Sequence, residues 1–415
     1  MLAPETRIAS DPRRHDLALA AVLAVNFGVA FLARNALGLA APYIQGDIPL
    51  DNAQIGTLSA GLACAWAASG ILAARLLESR FNTLGLLLGL CLLDALSLAW
   101  AAAAQSFPTL LLARILTGVA AGPVLPLSQA LIARRGGAGN RGLRMGTTQA
   151  LGGSLIGGIL APWFIIPLSQ GYHWPTAFLG TAACCLVSGF LLRLLPRHPG
   201  DPLQGEPTAD SAATAFETTR TSPRNVGLCC SISALMVGWL VIVFTFLPTV
   251  LIRGLNWPAT RASVAMSGIG VVSLLSSVIV PSLSDRVGRR PALVVAAAAG
   301  ALATAGIAAA TAGRPIDLVL LSLTGIAGGT FPLFMGTISA ESAKPGQAAL
   351  AIAWVQGVGE TIGGLLAPIL AGLAADRFGI INTVWIAACC AAAATAVGWF
   401  LTETRPTLRK PASLR

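Results

Sequence analysis

Run length constrains this chain before anything else does. Twelve mainly apolar stretches, near 17–41, 53–77, 83–104, 108–133, 143–167, 174–195, 225–252, 259–283, 291–312, 316–340, 347–373 and 380–401, follow one another with short breaks. Each is close to the ~20 residues that a helix needs to cross about 30 Å of hydrocarbon. Lipid offers backbone N–H and C=O groups no partner, so segments of this kind bond internally as helices. Ala, Leu, Gly, Val and Ile dominate them, and the small residues let neighbouring helices approach closely. Only 11% of the 415 residues are charged, against about 25% in a soluble domain. The expectation is an all-α membrane protein with twelve transmembrane helices.

The net charge of +10 does not point to nucleic acid, because the basic residues sit in short loops between apolar runs and not on one polar face. They do orient the chain. With the N-terminus in the cytoplasm, 21 of the 27 Lys and Arg fall on the inside, four (Arg253, Arg261, Arg314 and Arg377) on the outside and two within spans. Both termini are therefore expected in the cytoplasm, with the protein in the cell (inner) membrane.

The longest polar stretch, 196–224, carries Pro196, Pro199, Pro202, Pro207 and Pro223 and follows the sixth span, as a linker between two units would. The units repeat one another. Leu116-Thr117-Gly118-Val119-Ala120-Ala121-Gly122 returns about 207 positions later as Leu323-Thr324-Gly325-Ile326-Ala327-Gly328-Gly329. Gly157-Gly158-Ile159-Leu160-Ala161-Pro162 returns about 206 later as Gly363-Gly364-Leu365-Leu366-Ala367-Pro368. The division is then an N-terminal six-helix bundle (1–195), a cytoplasmic linker (196–224) and a C-terminal six-helix bundle (225–415). Duplications with six spans per unit place a substrate site at the midplane between the halves.

Ionisable groups inside the spans are the candidates for function. Arg34 keeps its charge at any working pH, and a mid-helix guanidinium costs ~2.5–3.5 kcal/mol on insertion scales. Its five donors form a fork that fits a carboxylate, so Arg34 is expected to face a water-filled cavity as an anion-binding post. The rival reading is an internal ion pair that ties the first span to another. Glu360 is the one acid deep in the apolar spans of the C-terminal half, with Gln356 one turn earlier on the same face. Low dielectric disfavours the charged form of a carboxyl group, which makes Glu360 the candidate proton carrier. Asn35, Gln129, Gln149, Gln356 and Trp354 are the further candidates for the cavity wall. Asp94 is read as structural, and Arg114 as near enough to the outer end of its span to snorkel.

Asp285-Arg286-Val287-Gly288-Arg289-Arg290, after the eighth span, and Arg114-Ile115-Leu116-Thr117-Gly118 with Gly122, in the fourth, resemble motifs of the major facilitator superfamily. The loop after the second span departs from the pattern, with Ala74 where an Asp is expected and Leu77 where a Gly is. The resemblance covers 17–401. It implies the major facilitator fold, two pseudo-symmetric six-helix bundles working by alternating access, with Asp285, Arg286 and Arg289 as a conformational latch. Within the superfamily, Arg34-Asn35, Pro42, Asp47 and Ile55-Gly56 resemble the first span and loop of the anion:cation symporters for organic acids, although Ala33 stands where those carry Asp.

The function expected is secondary active transport: proton-coupled uptake of a small organic anion, by a monomer in the bilayer. The alternative is proton-driven efflux of a drug or metabolite. Gly153, Gly157, Gly158 and Pro162 match only part of the motif that such antiporters carry in the fifth span. A membrane enzyme is not indicated, since His15, His173 and His198 lie outside the spans, and neither Lys344 nor Lys410 follows a Gly as a phosphate-binding loop requires. The eight cysteines fall in apolar segments with no CxxC spacing, so no metal or cofactor is expected.

Overall fold

The computed structural model describes residues 12–76, 82–135, 148, 150–195, 222–307, 315–344 and 347–405. Twelve helices in it are long and apolar enough to cross a membrane. They are α1 (Leu17–Asp47), α2 (Asn52–Ala73), α3 (Thr83–Ala102), α4 (Phe107–Ile132), α5 (Ala150–Tyr172), α6 (Trp174–Leu194), α7 (Pro223–Gly254), α8 (Ala259–Val287), α9 (Arg289–Ile307), α10 (Ile316–Ser342), α11 (Leu350–Phe378) and α12 (Asn382–Trp399). Each predicted span has its helix, and the differences are at the ends. Pro42 does not stop α1, which continues to Asp47. The polar stretch gives way to helix two residues early: Ser222 accepts a bond from the Asn225 N–H and Pro223 opens α7, the favoured chemistry for a helix start. Residues 77–81 and 196–221, with Gln149, lie outside the described residues.

The repeat read from the sequence is a repeat of contacts. A Cβ on Gly118 of α4 would stand 2.4 Å from the Leu62 carbonyl oxygen of α2, and one on Gly325 of α10 would stand 2.3 Å from the Ile269 oxygen of α8. Leu62 and Ile269 are themselves 207 apart. The same short motif thus lets two backbones touch in each half. The second motif does its work between the halves. Gly158 of α5 packs on Gly270 of α8, and its sibling Gly364 of α11 packs on Ala63 of α2. Ala63 and Gly270 again differ by 207. Both α5 and α11 leave α-helical winding at these places and take wider π turns, over Ala150–Leu160 and Gly359–Gly363.

Twelve crossings return the chain to the face on which it began. From the midplane to the opposite face, here the far face, the halves are joined. Asp376 at the end of α11 accepts bonds from the Asn52 and Ala53 N–H groups (2.9 and 2.8 Å) and from the Asn52 side chain (2.8 Å). A carboxylate from one half therefore caps the N-terminus of α2 in the other, where the helix dipole favours negative charge. Nearby, Gly56 packs on the Pro368 carbonyl and Gly372 on that of Asn52. Ser59 bonds Thr245 at 3.1 Å, and Ser267 donates to the Ile159 oxygen at 2.7 Å. A buried ion pair also crosses the seam.

Candidate functional site

The ion pair stands at the midplane. Arg34 of α1 donates from Nη1 to Oε1 of Glu360 (3.0 Å) and from Nη2 to Oε2 (2.8 Å), a two-pronged match of fork to carboxylate. The two side chains are 8% and 12% exposed. The guanidinium carbon lies 4.9 Å from the centre of the Trp66 ring and 5.7 Å from that of Phe31, within cation–π range of both. The anion post is thus occupied, and by the residue expected to carry protons. This arrangement is the internal-pair reading drawn in full. A lone buried charge is too costly to leave unpaired, and the mid-span cation of α1 and the mid-span acid of α11 satisfy one another.

Arg114 corrects its expected role. It is 1% exposed and turned inward, donating from Nη1 to the Ala33 oxygen (2.9 Å) and from Nη2 to the Arg34 oxygen (2.7 Å). It cannot snorkel, because Gly118, one turn on, presses that face of α4 against α2. Arg114 thereby holds the backbone from which the Arg34 guanidinium projects. Asp94 of α3 is buried nearby, with Oδ2 accepting from the Cys185 thiol at 3.5 Å.

Beside the pair is a small cavity of about 20 Å³ between the halves, on the far side of Arg34. Arg34, Asn35, Ser59, Arg114 and Thr245 supply its polar lining, and Phe31, Leu62, Leu240, Val241 and Phe244 the apolar wall. The cavity has room for about one water molecule, so the gap is closed to a solute while Arg34 and Glu360 are paired. Of the residues chosen from sequence, Arg34 and Asn35 line this cavity and Glu360 closes on Arg34. The Asn35 amide donates to the Gly157 oxygen at 2.9 Å, so it ties α1 to α5. Gln129 and Gln356 are half-buried nearer the terminal face and do not line the cavity. Trp354 is 62% exposed and about 120° around α11 from Glu360 at ~100° per residue. Ser59, Thr245 and Phe31 were not singled out beforehand, since isolated hydroxyl and aromatic residues in apolar helices give no signal of their own.

The family model of the Major Facilitator Superfamily matches residues 23–358 and 242–415. The chain belongs to the major facilitator superfamily. A curated relative, the galacturonate transporter of Dickeya chrysanthemi, is 28% identical over 173 residues, 42% of this chain and 49% of that protein. The match thus spans about half of the relative's length. Solved structures share the fold at low identity. A bacterial homologue of the human lysosomal transporter Spinster, inward-facing and occupied, superposes with a TM-score of 0.76 at 16% identity, covering 94% of this chain and 97% of that one. A point mutant of the nucleoside transporter NupG gives 0.74 at 18%, covering 92% and 100%. The D-xylose–proton symporter gives 0.71 at 18%, covering 94% and 98%. Its family and structural neighbours are transporters rather than enzymes.

The motif that carries the superfamily resemblance lies at the terminal face of α8. Arg289 bonds Asp285 and Ser284, and from Nη2 the side chain of Glu341 at the end of α10 (3.1 Å). Glu403, just past α12, accepts from the Arg289 and Arg290 N–H groups (2.9 and 3.2 Å), and Arg405 donates to the Arg286 oxygen. The contacts described for the expected latch residues thus lie within the C-terminal half, which joins four helix ends into one charged knot. Glu341 and Glu403 were missed because they stand 52 and 114 residues from Arg289.

Proposed function

We propose that this transporter takes up a small organic anion, a carboxylate, together with a proton, through the cavity beside Arg34. The observation that carries the reading is the forked bond of Arg34 to Glu360 at the wall of that cavity. Glu360 holds the place that a substrate carboxylate would take. Protonation of Glu360 removes its charge and frees the fork. A carboxylate entering from the cavity then restores two charge-assisted hydrogen bonds to the same guanidinium. With neither proton nor substrate present the pair closes again, so the empty carrier crosses the membrane with its charges matched, as a low-dielectric path requires.

The aromatic pair Phe31 and Trp66 keeps the guanidinium plane fixed, and Arg114 keeps its helix segment fixed. The partial match to a galacturonate transporter supports the substrate class, since galacturonate carries a carboxylate. A proton symporter among the similar folds supports the coupling ion. With 21 of 27 basic residues on the terminal side, both termini face the cytoplasm of the inner-membrane protein and the joined far face is periplasmic. Asp285, Arg286 and Arg289 form the latch that holds the C-terminal half rigid at the cytoplasmic face, and the monomer is the working unit.

The test is transport by right-side-out membrane vesicles. Labelled carboxylates accumulate under an inward proton gradient. Extrusion of lipophilic cations, without carboxylate uptake, establishes the antiporter instead.

A further inference from the structure

We infer that the transporter carries one singly charged carboxylate with one proton, and moves no net charge. This rests on the carboxylate reading above and adds the charge class of the substrate and the stoichiometry.

Charge balance at the midplane sets both. Among the described residues, four ionisable groups lie in the middle of the spans: Arg34, Arg114, Asp94 and Glu360. Two are basic and two acidic. Arg114 has both terminal nitrogens bonded to the carbonyls of residues 33 and 34, so it is held by the backbone and is not free to exchange partners. The exchangeable couple is Arg34 with Glu360, and it offers one fork to one carboxylate. The residues of α2 and α7 that meet the Glu360 turn, Ala63, Ser233 and Val237, bring no further titratable group.

In the empty state Arg34 and Glu360 cancel. On loading, a proton from the medium adds to a carboxylate oxygen of Glu360, the two N–H···O bonds from Arg34 to it break, and two form to the substrate. Arg34 and the substrate then cancel, and Glu360 is neutral. An anion bound without a proton leaves two carboxylates on one guanidinium. A proton bound without an anion leaves Arg34 alone in low dielectric. A dianion leaves one negative charge unmatched. Each of these carries an unpaired charge through the closed, dehydrated state, which burial disfavours strongly. A neutral sugar brings nothing to displace Glu360 from the fork.

The experiment reconstitutes the full chain in proteoliposomes and compares three probes of one carbon skeleton: galactose, galacturonate and the dicarboxylate galactarate. Lactate and gluconate widen the monocarboxylate set. Galacturonate or another monocarboxylate is expected to enter at least tenfold faster than galactose and galactarate. A pH step, alkaline inside, is expected to drive it several-fold. A potassium diffusion potential set with valinomycin is expected to change the rate by less than twofold, and external alkalinisation is expected to report one proton per anion. Glu360→Gln is expected to lose the response to the pH step while still exchanging labelled for unlabelled anion, which also shows that the variant folds. Uptake that follows the potential several-fold, or galactarate moving as fast as galacturonate, overturns the stoichiometry and leaves carboxylate transport standing. No uptake of any monocarboxylate overturns both.

Discussion

The two six-helix halves share a frame and differ in what they place on it. Contacts repeat at an offset of 206 or 207: Gly118 on Leu62 matches Gly325 on Ile269, and Gly270 on Gly158 answers Ala63 on Gly364. The charges do not repeat. Counting by the same offset, Val241 stands opposite Arg34, Leu321 opposite Arg114 and Ala301 opposite Asp94. Counting back 206 from Glu360 reaches Ser154. The duplicated part is the part that lets helices touch. The part that departs from duplication supplies a cation from one side of the seam and an anion from the other. A symmetric molecule would face like against like at the midplane, where repulsion has little solvent to screen it.

The sharpest way to break this comparison is to alter the same position in both halves. Arg34→Ala is expected to abolish uptake, with a loss of at least a hundredfold, and to lower stability by about 3–5 kcal/mol because Glu360 is left buried without a partner. Val241→Ala is expected to reduce uptake only a few-fold. Uptake assays beside thermal unfolding in detergent check both. In the double variant Arg34→Ala/Glu360→Ala, thermal stability is expected to recover part of what the single change loses.

The seam gives a smaller contrast. A Cβ at position 270 would stand 2.5 Å from the Gly158 carbonyl carbon, whereas one at position 364 meets the Ala63 Cβ at 2.8 Å. Gly270→Ala is therefore expected to slow transport about tenfold, and Gly364→Ala less, by comparison of initial rates at equal expression.

The far-face cap gives a smaller effect again. Asp376→Asn keeps the shape but weakens the hold on the α2 N-terminus, at a cost of about 1 kcal/mol. Roughly a fivefold gain in far-face opening is expected, read as thiol-reagent labelling of a cysteine introduced at position 59. Trp354→Ala, on the outer side of α11, is expected to change uptake by less than twofold.

How much of this was legible beforehand follows from the range of each interaction. Span positions were legible because run length is a local property. The repeat was legible because the close contacts use motifs only six or seven residues long. Arg34 and Glu360 stood out as lone charges in apolar helices. That they bind one another across 326 positions is not periodic and leaves no pattern. The usable signal was their opposite sign, since lone buried charges seek partners. Arg114 was misplaced because its distance from the helix end was weighed, and the Gly118 packing that turns its face inward was not. The terminal-face knot was half seen. Its Asp and Arg sit in one motif, while Glu341 and Glu403 reach it from other helices.

The bare meeting of Gly158 with Gly270 has a mechanical consequence. Two backbones in contact have no rotamers to lose and almost no water to expel when one rolls on the other. Such a point is a fulcrum. A fixed pivot at mid-height couples the two ends of the molecule as arms of one lever, so the arm that swings apart on one face draws its opposite end together on the other.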